Sequence, residues 1–193
     1  MILKFKNNYS KYCLIGILFI GVFHSETVFA SREPIIRVLI LRNNNVRIRA
    51  DKSIPLTVEG KFLPIKKIKG LTLKNEKNRK ILFFDKNRQK EYDLKSNQQF
   101  QISSSDGRGI WVGKKRFSGK LDLFVLDSEI LVVNVLGIEK YLNSVVGSEM
   151  PTKWPIEALK AQAIASRTYA LKQKGNNLFD IDSTQKNQVY NGL

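Results

Sequence analysis

The segment SVVGSEMPTKWPIEALKAQAIASRTYAL, residues 144–171, decides the fold because the periodicity of the sequence changes around it. Apolar residues recur at helical spacing over 138–146, which predicts a first helix that stops at Gly147. Pro155 suits the first turn of a second helix, and the many alanines favour that helix, so we expect it over Trp154–Lys174. The segment therefore predicts two consecutive helices joined by a short connection.

The residues before this segment carry the signals of β-strands. LDLFVLD (121–127) and EILVVNVL (129–136) are separated by a turn signal, so they predict a hairpin. The basic and weakly patterned run Lys66–Lys80 indicates a loop or a turn between modules. Further strands are predicted at IIRVLIL (35–41), VRIRA (46–50), LTV (56–58), ILFF (81–84), FQIS (100–103) and GIWV (109–112).

This order of elements predicts an α+β protein, in which a β-rich N-terminal part is followed by a two-helix segment. We divide the chain into residues 31–115, the β-rich region, and residues 116–193, the segment that carries the candidate site. The tail after the second helix is expected to form a loop and a short strand.

The first thirty residues have the three parts of a signal peptide. Three lysines form a basic start, CLIGILFIGVF (13–23) is an apolar core, and Val28 and Ala30 form a small-residue cleavage pattern before Ser31. An uncleaved membrane anchor is the alternative, but this apolar core is too short to cross a hydrocarbon layer of about 30 Å. We therefore expect residues 1–30 to be removed and the protein to be exported to the periplasm or the cell wall.

Removal of this leader has a chemical consequence. The only cysteine, Cys13, and the only histidine, His24, lie within it, so the remaining chain has no thiol nucleophile and no imidazole base. Acid–base chemistry must then come from carboxylates, lysines or tyrosines. We predict no metal site and no cofactor, and the remaining length of roughly 160 residues is enough for one hydrophobic core.

The chain is strongly basic, with a formal charge of +16 that falls to +14 when the three lysines and Glu26 of the leader are removed. Such a charge favours polyanionic partners, which include nucleic acid, an anionic membrane surface and an anionic cell-wall polymer. A solvated surface that keeps the protein soluble is the alternative. Export favours the wall over nucleic acid, and we expect contact with a membrane only through the leader before its cleavage.

Arg167 falls within the apolar stripe of the second predicted helix. At 100° per residue that stripe contains Ile156, Leu159, Ala163, Ala170 and Leu171. A guanidinium on a face that should be buried needs a charged or strongly polar partner. Arg167 could extend to solvent, pair with a structural carboxylate, or reach toward Glu149 or a substrate in a cleft. On the adjoining face, Gln162, Ser166 and Tyr169 could line a groove for sugar hydroxyls or form an ordinary solvated flank.

Glu149 is the carboxylate between the two predicted helices. The start of the second helix would favour its ionised form. Apolar neighbours such as Val145, Met150 and Trp154 would favour the protonated form that a general acid needs. A capping or turn carboxylate is the ordinary alternative. The residues alone leave these alternatives open.

A longer stretch, residues 116–171, resembles the stage II sporulation protein D family, also called the amidase-enhancer family. The resemblance lies in the order and spacing of the hairpin that ends in VVN, the EKYL helix, the SEMP turn, the WPIEALKAQA run and the SRTYAL segment. A weaker similarity is found in QVYNG (188–192).

The resemblance implies a lytic transglycosylase that cleaves peptidoglycan glycan strands stripped of their stem peptides. Glu149 matches the catalytic glutamate, which protonates the glycosidic oxygen and then acts as a base while the muramoyl 6-hydroxyl closes onto C1. One carboxylate is enough because the substrate supplies the nucleophile, whereas hydrolysis usually uses two carboxylates about 5–10 Å apart. As substrate-binding residues we expect Ser148, Gln162, Arg167, Tyr169, Gln188 and Tyr190.

Two features depart from the family pattern. Some members resemble a zinc protein with cysteine and histidine just before the QVY motif, but here the segment reads DIDSTQKNQVY (180–190) and contains neither. The family's domain normally continues well beyond QVYNG, whereas this sequence ends at Leu193, so we expect a truncated domain.

Three functions from different classes follow from these observations. The first is glycan-strand cleavage with Glu149 as acid and base. The second is a non-catalytic module that binds peptidoglycan or stimulates a cell-wall amidase. The third is an exported basic domain that only adheres to an anionic polymer. Peptidoglycan strands and an amidase are thus the expected partners, and nucleic acid is not.

Overall fold

The computed structural model describes residues 32–51, 54–61, 63–76, 79–84, 90–173, 175–184 and 186–193. The predicted signal peptide, residues 1–30, lies outside the described residues. In chain order the strands before the helices are β1 (Ile35–Asn43), β2 (Asn45–Arg49), β3 (Leu56–Gly60), β4 (Leu63–Ile68), β5 (Gly70–Glu76), β6 (Arg79–Phe84), β7 (Lys90–Asp93), β8 (Gln98–Ser104), β9 (Ile110–Val112), β10 (Lys115–Phe117), β11 (Lys120–Val125) and β12 (Ile130–Gly137). The helices α1 (Ile138–Glu149) and α2 (Ile156–Lys172) follow, and then β13 (Ile181–Asp182).

These strands form two sheets. The first has the order β13-β1-β12-β11-β8-β3-β4, and the second has the order β10-β9-β2-β5-β6-β7. Strands β1 and β13 run parallel, and the other described pairs, such as β1 with β12 and β11 with β12, are antiparallel. Because β1 and β3 precede residue 115 whereas β11 and β12 follow it, the first sheet contains strands from both predicted regions.

Side chains from the two sheets share one core. In β2, Val46 and Ile48 are buried while Asn45, Arg47 and Arg49 are exposed, as expected for a strand with one face on the core and one in water. The buried cluster combines residues of both sheets with residues of α1, among them Val38, Ile48, Leu56, Ile110, Leu123 and Tyr141.

Strand β12 is buried on both of its faces. Val132 belongs to the core that the two sheets share. On the opposite face, Leu131 and Val133 form a second cluster, against which Leu178 and Phe179 of the tail pack. This double burial explains the unbroken apolar run in the sequence, because each face of the strand needs apolar side chains.

The structure confirms the α+β class and the predicted hairpin, which is the antiparallel pair β11–β12. The loop predicted at Lys66–Lys80 is wrong, because this range contains the end of β4, all of β5 and the start of β6. Leu71 and Leu73 are buried in β5, but the third buried position is the polar Asn75, so the alternation of apolar and polar residues is too short to stand out in the sequence. Strands β7 and β10 also have no counterpart among the predicted strands.

Both predicted helices form, but their ends differ from the prediction. Helix α1 continues through Gly147 and ends at Glu149, so Gly147 is not its stop. Helix α2 begins at Ile156 and ends at Lys172, two residues inside the predicted range at each end. Within the described residues, neither helix combines the length and the apolar character that a membrane span requires.

The buried face of α2 also differs from the prediction. Ile156 and Leu171, which belong to the predicted apolar stripe, are 62% and 53% exposed. Ser166 and Ala170 are the residues of α2 that are buried. Small side chains let α2 pack closely, while the large apolar side chains of Ile156, Ile164 and Leu171 are exposed.

The amino end of α1 is held by residues from the start of the described chain. Glu33 Oε1 accepts the backbone N–H of Glu139 at 2.8 Å, and the carbonyl oxygen of Pro34 accepts the N–H of Ile138 at 2.9 Å. Gly137 leaves room for this contact, since a Cβ there would lie 2.4 Å from the Glu33 carboxylate. These bonds satisfy two of the free N–H groups of the helix start and fix the position of α1.

Candidate functional site

The carboxyl end of α1 lies against the tail of the chain. Glu149, the last residue of α1, accepts the backbone N–H of Val189 on Oε1 at 2.6 Å. Two residues further along the tail, Asn191 donates its N–H to Ser144 Oγ at 3.3 Å and its side-chain amide to Ser148 Oγ at 3.1 Å. The structure therefore brings the SEMP and QVYNG motifs together, although they are about forty residues apart.

This position corrects the expected surroundings of Glu149. The residue belongs to the last turn of α1 and does not lie at the start of α2, which begins only at Ile156. The negative end of the α1 dipole faces the carboxylate, and the N–H of Val189 supplies a compensating donor. Glu149 as a residue is exposed to solvent.

Gln188 and Tyr190 lie on the buried side of the tail. Gln188 Oε1 accepts the hydroxyl of Tyr141 at 3.0 Å, and the hydroxyl of Tyr190 donates to Asn134 Oδ1 at 2.6 Å. Burial raises the pKa of both Tyr141 and Tyr190 above the ordinary value, so both phenols stay protonated as donors. These contacts fix the position of the tail beside α1, where Val189 binds Glu149 and Asn191 binds Ser144 and Ser148.

Asn134 connects this tail to the β11–β12 hairpin. Its side chain is fully buried, and its amide donates to the carbonyl oxygens of Ser118 at 2.8 Å and Lys120 at 2.9 Å. With the hydroxyl of Tyr190 on its Oδ1, each polar atom of the side chain has a partner. The asparagine of the VVN motif is thus a buried support for the tail.

Arg167 pairs with Glu139 of α1 and not with Glu149. Its Nε donates to Glu139 Oε1 at 3.1 Å, and its Nη2 donates to Oε1 and Oε2 at 2.8 and 2.7 Å. Of the alternatives that the sequence left open, the structure shows the pairing with a carboxylate. The alternative in which Arg167 reaches toward Glu149 does not hold, because the guanidinium is bound to Glu139 in the first turn of α1.

This ion pair forms part of a groove between α1 and α2, which we call the arginine groove. The groove has a volume of about 300 Å³. Apolar side chains form its floor, and the lining residues relevant here are Glu139, Asn143, Gly147, Thr152 and Arg167.

A second groove lies along the other side of α1, between that helix and the tail. It has a volume of about 550 Å³ and is lined by Ser118, Lys140, Asn143, Ser144, Ser148 and Asn191, among others. A smaller space of about 260 Å³, lined by Ser103, Ser104, Ser105 and Lys120, shares Gly107, Ser118 and Lys140 with it. We call these two joined spaces the serine groove. Hydroxyl and amide groups of this kind can bind sugar hydroxyls.

The wall of the serine groove is held by a compact loop around Asp106. The Asp106 side chain accepts the N–H of Arg108 at 3.0 Å and its guanidinium at 2.9 and 2.6 Å. The hydrogen bonds from Arg108 lower the pKa of Asp106 from 3.8 to about 2. Arg108 and Arg116 also lie 3.6 and 3.3 Å from Asp51, so the loop is tied to a network of charges.

The other residues predicted to bind substrate are placed on α2. Gln162 is half-buried and donates to Ser166 Oγ at 3.3 Å, and the exposed Tyr169 donates its hydroxyl to Asn187 Oδ1 at 3.0 Å. Ser148 lines the serine groove and Arg167 the arginine groove. Glu149 is not among the residues that line these two grooves, but its neighbours Gly147 and Ser148 line one each.

Sequence reasoning missed several residues of these grooves. Lys140, Asn143 and Gly147 lie on the exposed side of α1, and Glu139 binds Arg167. Their spacing of three to four residues along a predicted helix is the signal that could have grouped them.

In the described part of the chain, no cluster of three or more His, Cys, Asp or Glu residues could hold a metal ion.

Comparison with known proteins finds a family match over strand β12, both helices and the tail. The family described as Stage II sporulation protein matches residues 126–193. An uncharacterized protein of Brachyspira hyodysenteriae is 48% identical over 88 residues, which cover 44% of this chain and 24% of that protein. No solved structure shows a significant match to the chain.

Two Bacillus proteins show shorter matches. The amidase enhancer of Bacillus subtilis is 46% identical over 51 residues, which cover 26% of this chain and 7% of that protein. The stage II sporulation protein D of Bacillus amyloliquefaciens is 40% identical over 65 residues, which cover 30% of this chain and 19% of that protein. The chain thus spans a quarter or less of the length of these relatives.

Proposed function

Because the chain belongs, through residues 126–193, to the stage II sporulation protein D and amidase-enhancer family, we propose that it acts on the bacterial cell wall as a lytic transglycosylase. Its substrate is the peptidoglycan glycan strand from which the stem peptides have been removed. Glu149 is the general acid and base of the reaction. The basic chain is exported by its leader, residues 1–30, and meets the strands in the periplasm or the wall.

The contact between Glu149 and Val189 is the observation that carries this proposal. It orients one carboxylate oxygen at the place where the two family motifs meet, and Glu149 is exposed, so a strand in solvent can reach the residue. A catalytic acid has to be positioned within hydrogen-bond reach of the leaving oxygen. A fixed backbone donor on Oε1 supplies that positioning without a second side chain.

The reaction needs two proton transfers at the same carboxyl group. The protonated Glu149 gives its proton to the glycosidic oxygen as the bond from C1 of the muramoyl residue breaks. The resulting carboxylate then takes the proton of the muramoyl 6-hydroxyl, whose oxygen bonds to C1 and closes the anhydro ring. Glu149 ends protonated, as it began, and no water is consumed.

The carboxylates nearest to Glu149 along the sequence have different partners. Glu139 is held by Arg167, and Glu157 accepts a hydrogen bond from Lys160 at 2.9 Å in the first turn of α2. A hydrolase that uses two carboxylates would need a second acid facing the same bond. The intramolecular nucleophile of a transglycosylase removes that requirement, which supports this reaction class over hydrolysis.

Purified protein without residues 1–30, incubated with peptide-free glycan strands, tests the proposal. We expect products that end in anhydromuramoyl residues, and we expect Glu149→Gln to abolish them while it leaves the thermal unfolding profile nearly unchanged. Glu157→Gln is the matched control, because it removes an exposed carboxylate of α2 and should retain activity. Equal activity in the Glu149→Gln variant would contradict the assignment.

A second function is favoured by one specific observation. The hydrogen bond from Val189 to Glu149 also fits a carboxylate that only holds the tail, and one relative is named an amidase enhancer. In that case the protein would bind strands and accelerate a cell-wall amidase without cleaving glycan itself. Amidase rates measured with and without the protein distinguish the two functions, since a pure enhancer gives no anhydromuramoyl ends.

A further inference from the structure

Gly147 is a glycine that the fold does not require. It lies inside α1, and it is not one of the described glycines with a positive φ angle, so any residue could adopt its backbone conformation. A Cβ placed on it would meet nothing within 4 Å, so it does not serve close packing either. A glycine in a helix interior is less favourable than alanine, which leaves its presence unexplained by stability.

The position of Gly147 offers an explanation. It lines the arginine groove, and Asn143, one turn earlier on the same exposed side of α1, lines both the arginine groove and the serine groove. The two grooves are therefore separated only by the outer side of α1 at these residues. A side chain at 147 would stand on that divide, whereas glycine leaves the helix backbone open there.

We infer that one glycan strand occupies both grooves and crosses α1 over Gly147, with its backbone sugars against the exposed helix. This inference rests on the proposed function, and it assigns the path of the substrate. A glycine at a crossing point lets a ligand approach the main chain more closely than any other residue does. The crossing also brings the strand past Ser148 to Glu149 at the end of α1.

The charge of the serine groove indicates which feature of the strand it binds. Lys140 is exposed at the junction of the two joined spaces of this groove, and Lys120 lines the smaller of them. Asp106 in the same wall is neutralised by Arg108. Removal of the stem peptide frees the lactyl carboxylate of each muramoyl residue. Lys140 is positioned to bind such a carboxylate, so the groove prefers stripped strands to neutral polysaccharide.

Binding measured in the Glu149→Gln background tests the path, because no turnover then changes the ligand. The probes are peptide-free glycan strands and neutral chitin oligosaccharides, which lack the lactyl group. We expect Gly147→Leu to weaken strand binding on the order of tenfold. Gly147→Ala should weaken it less, while raising the melting temperature by about 2–4 °C because alanine favours the helix.

Two matched variants serve as controls. Ala165→Leu introduces the same side chain on an exposed part of α2 outside both grooves, and Lys67→Gln removes an exposed charge on β4 at the far edge of the first sheet. Both should bind strands like the parent. Lys140→Gln should lose the preference for strands over chitin oligosaccharides and keep its binding of the latter.

The outcomes separate this inference from the function on which it rests. Undiminished strand binding by Gly147→Leu would overturn the path, while Glu149-dependent cleavage by the otherwise unchanged protein would still stand. Absence of strand binding by the parent protein would overturn both. An unchanged preference for stripped strands in Lys140→Gln would remove the lysine from the site.

Discussion

Helices α1 and α2 follow each other within the range that matches the family, yet the contacts that hold them in place differ. Helix α1 buries Ile138, Tyr141, Leu142 and Val145, and distant residues bind both of its ends. Helix α2 buries only Ser166 and Ala170 among its described residues. The difference indicates that α1 is the rigid support of the site, while α2 supplies side chains such as Arg167 to it.

The largest effect is expected when the same leucine-to-alanine substitution is made in each of the two helices. Leu142 is 3% exposed and Leu171 is 53% exposed. We expect Leu142→Ala to lower the free energy of unfolding by about 2–5 kcal/mol, since it leaves a cavity in the core. Leu171→Ala should change it by less than about 0.5 kcal/mol. Urea unfolding of both variants measures this, and similar losses would refute the distinction between the helices.

The tail should contribute to the rigidity of α1 through its buried hydrogen bonds. Tyr190→Phe removes the donor to Asn134 and leaves a buried amide oxygen without a partner. We expect a loss of about 1–3 kcal/mol in the free energy of unfolding. Relative to the parent protein, Tyr190→Phe should accelerate amide hydrogen exchange more at the end of α1 than in α2. An equal change in both helices would contradict the coupling between tail and helix.

The contribution of the Asp106 loop, which forms the wall of the serine groove, to the stability of the protein should depend on pH. Arg108 lowers the pKa of this carboxyl from 3.8 to about 2 in the folded protein. The stabilisation is therefore fully present above about pH 4 and is lost as the pH falls from there toward 2. We expect the stability advantage of the native protein over Asp106→Asn to shrink across that range, as measured by unfolding at each pH. A difference that stays constant would show that the charge has no part in it.

The smallest effect on stability is expected at the ion pair that joins the helices. Arg167 and Glu139 are 37% and 59% exposed at their side chains, so solvent screens their attraction. We expect Arg167→Leu to lower the free energy of unfolding by about 0.2–1 kcal/mol. Its kcat/KM on glycan strands should fall about tenfold, because the arginine groove loses its cation. Normal turnover would show that Arg167 only links the helices.

The contrast between the helices also explains where prediction from sequence succeeds. In α1, apolar residues fall on one side of the helix, so periodicity identifies the buried face. In α2, alanines surround the helix and give no direction, and the large residues Ile156 and Leu171 point outward. The sequence therefore indicates that Arg167 needs a polar partner, but it leaves the choice among a structural carboxylate, Glu149 and solvent open, and only the fold identifies Glu139 as that partner.

Prediction of the strands from sequence also fails in places, but for a different reason. Runs such as 35–41 and 129–136 are predicted because both of their faces are largely apolar. Strand β5 is missed because only two leucines mark its buried face, and the third buried position is occupied by the polar Asn75. Contacts between distant residues, such as Val189 with Glu149 and Glu33 with Glu139, depend on the whole fold, and local patterns carry no signal for them.

Cleavage of peptide-free glycan strands in water enriched in the heavy oxygen isotope tests the central claim most directly. If Glu149 carries both proton transfers while the muramoyl 6-hydroxyl attacks C1, mass spectrometry will show anhydro ends without the heavy isotope, and Glu149→Gln will form none. New reducing ends that carry the heavy isotope would contradict the account, because water would then be the nucleophile.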